Sequence, residues 1–150
     1  MLVFVYQFVL SFFASMGFGI LFNAPRRALI SCGLTGAAGW LVYFSFMNTE
    51  VNQIVASFAG GIVLTAVSIY NARYLKMPVV IFITCGIIPL VPGGIAYQAM
   101  RNVVLENYQL AISFGIEAAL IASAIALGII TSEMIHSLVN VILSKVKTGE

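Results

Sequence analysis

Apolar residues fall in five long runs separated by short polar breaks. The first extends from Leu2 to Phe22 and stops at Asn23-Ala24-Pro25-Arg26-Arg27. The second covers residues 28–47 and ends at Asn48-Thr49-Glu50, and the third covers 54–70 and ends at Asn71-Ala72-Arg73-Tyr74-Leu75-Lys76. The fourth spans 78–105 and is interrupted at 89–94, Pro-Leu-Val-Pro-Gly-Gly. The fifth begins near Tyr108 and stays apolar to about Ile130, with a weaker helical continuation through Ser144. A helix needs about 20 apolar residues to cross a hydrocarbon core of about 30 Å, so each run predicts one span. The expected fold is an all-α integral membrane protein, a bundle of about five transmembrane helices whose fourth is broken by Pro and Gly. Residues 1–150 are read as a single transmembrane domain.

Composition agrees. Of the 150 residues 61% are hydrophobic and 8% charged, and the mean hydropathy is +1.07. Soluble domains carry about 25% charged residues, so a water-facing shell cannot be built from this inventory. Met1 to Phe22 lacks a basic leading segment and its apolar run is too long for a signal peptide, so it reads as a retained first span. The chain has no aspartate, one histidine (His136) and two cysteines, Cys32 and Cys85, each inside an apolar run. A Ser-His-Asp triad is therefore impossible, and neither a zinc-ligand nor a dithiol spacing exists. The chain is not expected to be an enzyme, to hold a cofactor or metal, or to bind nucleic acid. Both cysteines read as small packing residues.

Charge placement gives an orientation. Arg26 and Arg27 lie in the first loop, Arg73 and Lys76 in the third, and Lys145 and Lys147 in the tail, whereas the second loop carries Glu50 and no basic residue. The positive-inside rule then puts the first and third loops and the C-terminus in the cytoplasm and the N-terminus outside, which requires an odd number of spans. A four-span arrangement with a re-entrant segment ranks second. The location is a cell membrane, inner or plasma, crossed several times.

Two features carry candidate chemistry. Pro89, Pro92, Gly93 and Gly94 should unwind the fourth span, because proline removes helical hydrogen bonds and glycine adds backbone freedom. Unwound backbone at membrane depth is tolerated only against protein or water, and transporters aim such broken helices at substrates. Glu117 is the second feature, since an acid inside hydrocarbon costs at least about 2.5–3.5 kcal/mol. Counting 1.5 Å per residue from Tyr108 puts it about 13 Å deep, a level similar to the break. Tyr97 completes the candidate pathway, and pairing of Glu117 with Arg101 is the bland alternative. Glu133 and His136 share a helix face near the cytoplasmic interface, where polarity needs no function. Small-residue ridges at Gly33, Gly36 and Gly39, at Ala118, Ala122 and Ala126, and at Gly115, Ala119 and Ser123 indicate close helix packing.

Two stretches resemble a known family. Phe22-Asn23-Ala24-Pro25-Arg26-Arg27-Ala28-Leu29 fits F-N-x-P-x-R-A-L, and residues 88–100 fit I-P-x-x-P-G-x-x-A-Y-x-A-M. Both are similar to the threonine/serine exporter family, specifically its small, C-terminal-half type. The resemblance implies Asn23, Pro25 and Arg27 as one motif, and Pro89, Pro92, Gly93, Ala96 and Tyr97 as another. It further implies the small subunit of a two-component exporter of threonine, serine or a dicarboxylate such as succinate, paired with a homologous larger membrane subunit. No nucleotide-binding motif is present, so an ion or proton gradient would drive it. Arg27, at the expected cytoplasmic mouth, is suited to attracting a carboxylate. The rival readings are a self-associating small transporter or channel, and a scaffold subunit that does not itself transport.

Overall fold

The computed structural model describes residues 2–49 and 51–148, with side chains through Ile142. Glu50 and the side chains of Lys145 and Lys147 lie outside the described residues. Six α-helices follow one another: α1 (Leu2–Leu21), α2 (Leu29–Met47), α3 (Gln53–Leu75), α4 (Val79–Gly86), α5 (Gly93–Val104) and α6 (Tyr108–Thr148). A 3₁₀ turn, Arg26–Ala28, leads into α2 and another, Ile88–Leu90, extends α4. No strand occurs among the described residues. Four helical segments are long and apolar enough to cross a bilayer, and a fifth crossing arises if the bent pair 79–90 and 93–104 counts as one span. The architecture is the all-helical membrane bundle with a broken fourth helix that the apolar pattern implies.

Polar residues end the helices where backbone geometry permits. Asn23, Lys76 and Glu106 adopt left-handed φ values of 54°, 54° and 61°. Beyond each, an N–H turns back to a carbonyl five residues earlier: Ala24 to Gly19, Met77 to Ala72 and Asn107 to Asn102, at 2.9–3.0 Å. These are the bonds of a helix-ending Schellman turn. Pro25 and Pro78 follow two residues later and close off continuation. At the other end of α3, the Asn52 side chain accepts a hydrogen bond from the Ile54 N–H at 3.0 Å and caps the helix.

Two helices run further than the apolar runs suggest. α3 continues through Asn71 to Leu75. Asn71 is buried, and its Nδ2 donates to Thr35 Oγ1 of α2 at 3.1 Å, so a polar residue read as the end of a span instead joins two helices. α6 is 41 residues long, about 60 Å at 1.5 Å per residue and twice the hydrocarbon thickness.

α2 and α3 form the centre. α1 and α4 pack on α2, α4 also touches α3, and α6 packs along α3 and carries α5 on its flank. Small residues set the helix spacing. A Cβ on Gly36 would collide with the Ser15 side chain of α1. One on Gly61 would lie 2.9 Å from the Ile125 carbonyl oxygen, and one on Gly128 would lie 2.5 Å from that of Phe58. Without Cβ atoms the backbones of α1 and α2, and of α3 and α6, approach closely enough for dense packing. Gly33, Gly36 and Gly39 all serve this purpose on α2. The alanine and serine ridge of α6 does not, because Ala119, Ala122, Ser123 and Ala126 are exposed.

The core has two parts. Ala28, Cys32, Ala72, Phe82 and Cys85 pack together at the end bearing Arg26, Arg27, Arg73 and Lys76, called here the basic end. Leu64, Leu90, Ile121 and Ile125 form the other cluster, nearer the opposite end. Both cysteines are free and buried, packed as small apolar side chains.

Candidate functional site

The break in the fourth span follows from missing donors. Pro89 has no N–H for the Cys85 carbonyl and Pro92 has none for the Ile88 carbonyl, so both oxygens lose their helical partners. Val91 is extended (φ −60°, ψ 130°). Pro92 takes φ −75°, ψ 52°, and across it the Gly93 N–H bonds the Val91 oxygen at 2.7 Å, an inverse γ-turn. The helix restarts as α5, bent by 56°. The two sides of the break differ in support. Gly86 sits so close to Thr35 that a Cβ would come within 2.8 Å of its methyl, whereas Gly93 and Gly94 have nothing within 4 Å of where a Cβ would be. α5 has no buried residue and rests on α6.

Beside the break lies a cavity of about 250 Å³. Pro89 through Ile95 and Gln98 form one wall, and Trp40, Tyr43, Gln53, Ser57 and Ile121 the other. Trp40 and Tyr43 are one turn apart on α2 with ring centroids 5.0 Å apart. The Trp40 indole N–H donates to Gln7 Oε1 of α1 at 2.8 Å, which fixes the ring and satisfies its polar group. The Ser57 hydroxyl donates to the Gln53 carbonyl at 2.8 Å. The cavity therefore combines two aromatic faces, two side-chain amides and the first turn of α5, where N–H groups lack helical acceptors. Such a lining suits a small polar solute that has both donors and acceptors.

Four of the six pathway candidates, Pro89, Pro92, Gly93 and Gly94, line this cavity. Tyr97 is on α5 but 68% exposed and outside the lining. Glu117 is exposed and also outside it, one turn before Ile121 on α6. The register of α3 on α6 gives its level. Gly61 lies against Ile125 and Gly128, and Arg73 Nη2 donates to Asn140 Oδ1 at 2.7 Å. Offsets of 64 to 67 follow (125 − 61, 128 − 61, 140 − 73), which put Gln53 level with residues 117–120. Glu117 thus stands beside the first residue of α3, and α6 begins about 15 Å further out. The count from Tyr108 puts Glu117 at the level of the break; the register of α3 on α6 does not. Leu90 packs against Gly60, about two turns deeper than Glu117.

The first motif occupies the other end of α4. Asn23 and Pro25 line a cleft with Phe22, Ala24, Val80, Ile81, Thr84 and Cys85, and Arg27 is exposed nearby without lining it. His136 is 3.4 Å from the Asn140 amide, so its neighbour is Asn140, one turn further along α6. Sequence reading missed Trp40, Tyr43, Gln53, Ser57 and Gln98. A signal existed: Trp40 and Tyr43 share a helix face within the second apolar run, and Gln53 and Ser57 lie four apart where the third begins.

Residues 7–135 match a family model described as Threonine/Serine exporter, ThrE. The chain belongs to this family. The match contains both cavities, both proline motifs and every helix except the first residues of α1 and the last part of α6. Threonine/serine exporters are transporters, and this member of the family is a multi-pass membrane protein. A relative, an uncharacterized protein of Haemophilus influenzae, is 29% identical over 140 residues, which are 93% of this chain and 45% of that protein. The chain thus spans less than half the length of that relative. No solved structure matches.

Proposed function

We propose that this chain is the small subunit of a two-component secondary exporter, and that the cavity at the helix break receives the substrate. The observation that carries the reading is the cavity itself, a polar, aromatic-lined space beside unwound backbone in an apolar helix of an exporter-family protein. Its substrates are small polar metabolites, threonine and serine first, with a dicarboxylate such as succinate as the alternative. At the break, first-turn N–H groups of α5 suit a carboxylate, while the amides of Gln53 and Gln98 suit hydroxyl or ammonium groups.

The basic end faces the cytoplasm in this reading, by the positive-inside rule, with the N-terminus outside. Asn23, Pro25 and Arg27 then form the entry side and Arg27 attracts anionic groups, while Tyr97 and Glu117 belong to the exit side. The homologous larger subunit supplies the rest of the path. The 45% coverage of the relative supports this division, because a chain of that relative's length has room for a second unit of similar size.

The test is export of labelled threonine, serine and succinate from membrane vesicles, with this chain present alone and together with the larger subunit. Gradient-driven transport that needs both chains is the expected result. Transport by this chain alone would sink the two-subunit division, and no transport by the pair would sink the exporter reading.

A further inference from the structure

Between Met77 and Ser132 the chain carries three charged residues, Arg101, Glu106 and Glu117. Glu106 is in the α5–α6 turn. Arg101 and Glu117 are placed differently, each one helical turn from a residue that lines the cavity at the break. Arg101 follows Gln98 by three positions on α5, and Glu117 precedes Ile121 by four on α6. Positions three or four apart share a helix face with their Cβ atoms about 5–6 Å apart. α5 and α6 pack on each other as a helical hairpin, so both charges lie outward of the cavity on its two helical walls, with Arg101 about 9 Å further out than Glu117. The register of α3 agrees: Glu117 is level with Gln53, itself a lining residue at the very end of α3. Both side chains are exposed.

We propose that Arg101 and Glu117 form a two-signed rim that selects zwitterionic amino acids over dianions at this mouth of the cavity. The inference rests on the reading of the cavity as the substrate site, and it chooses between the two substrate classes which that reading leaves open. An α-amino acid carries a carboxylate and an ammonium on one carbon, and one cation with one anion at the rim satisfies both. A dicarboxylate meets Arg101 equally well but is repelled by Glu117 at its other end. Discrimination here comes as much from the repulsive group as from the attractive one. A guanidinium is the better partner for a carboxylate because it binds in a bidentate fashion. Glu106 is more than a turn beyond Arg101 along the chain and does not flank the lining residues.

The experiment measures threonine KM, and competition by succinate, in right-side-out and inverted vesicles of the native host with its companion subunit present. Arg101→Gln and Glu117→Gln should each raise threonine KM about tenfold or more, as expected for losing one charge-assisted contact, on one face of the membrane only. Arg101→Lys, which keeps the charge but loses the bidentate fork, should fall between wild type and Arg101→Gln. Glu117→Lys, which makes the rim doubly positive, should strengthen succinate competition by about tenfold while weakening threonine. Both positions are exposed, and the amount of each variant in the membrane is measured alongside. Unchanged threonine KM on both faces overturns the proposal. So does an equal fall in transport on both faces with no change in succinate competition, which would mark the pair as structural. If the wild-type protein transports neither compound, the proposed function falls as well; if wild type transports and the variants keep its constants, only the rim is wrong.

Discussion

At the scale of single residues, glycine controls how close the helices come, and its positions differ sharply in cost. Gly128 on α6 faces the Phe58 carbonyl, which is backbone and cannot move aside without shifting α3. Gly17 on α1 has nothing within 4 Å of where a Cβ would be. Gly128→Ala should therefore destabilise the bundle by about 1–3 kcal/mol, as overpacking does. Gly17→Ala should be neutral or stabilising by up to about 1 kcal/mol, from helix propensity alone. Thermal unfolding in a mild detergent separates the two, and equal midpoints for both variants would refute the packing account. The sequence shows the glycine spacing on α2, where Gly33, Gly36 and Gly39 recur every three residues and each meets a neighbour. On α6 it offers several ridges of small residues, and only packing shows that the buried one is Ala124, Gly128 and Ser132, facing α3.

At the scale of elements, the broken helix was legible and its surroundings were not. Two prolines and two glycines within six positions remove donors whatever the tertiary context, so the break follows from covalent structure. The cavity beside it depends on α2 and α3 bringing Trp40, Tyr43, Gln53 and Ser57 to the same place, which is a matter of packing. Restoring the donors should undo the break. The double change Pro89→Ala with Pro92→Ala lets the Cys85 and Ile88 carbonyls regain partners. The protein should then insert normally, unfold at a higher temperature, and lose export down to background in the vesicle assay. Export at the wild-type rate in this variant would remove the break from the transport path. Asn71 teaches the reverse lesson. Its polarity looks like the end of a span, yet a buried partner at Thr35 lets the helix continue, and no local pattern discloses a partner 36 positions away.

At the scale of the whole molecule, the all-helical class and the order of the apolar segments were plain from hydropathy, because a helix must be long and apolar to cross hydrocarbon. Vertical register was not. Glu117 is level with the first residue of α3, since α6 starts about 15 Å further out than α3 does. The proposed orientation has a direct check. Cys32 and Cys85 are 0% and 1% exposed, so the wild-type protein should react little with a membrane-impermeant maleimide. Asn48→Cys should label from outside and Lys76→Cys only from the cytoplasm. The opposite pattern would invert the molecule and exchange its entry and exit sides.

The unbroken length of α6 has a mechanical consequence. A continuous helix of about 60 Å behaves as a stiff rod, and along it are arranged the α5 contact at one end and the Arg73–Asn140 hydrogen bond toward the other. α4 is anchored among small residues, while α5 rests on α6. Any tilt of the α5–α6 hairpin should therefore be carried along α6 as by a lever, with its fulcrum where Gly61 and Gly128 touch.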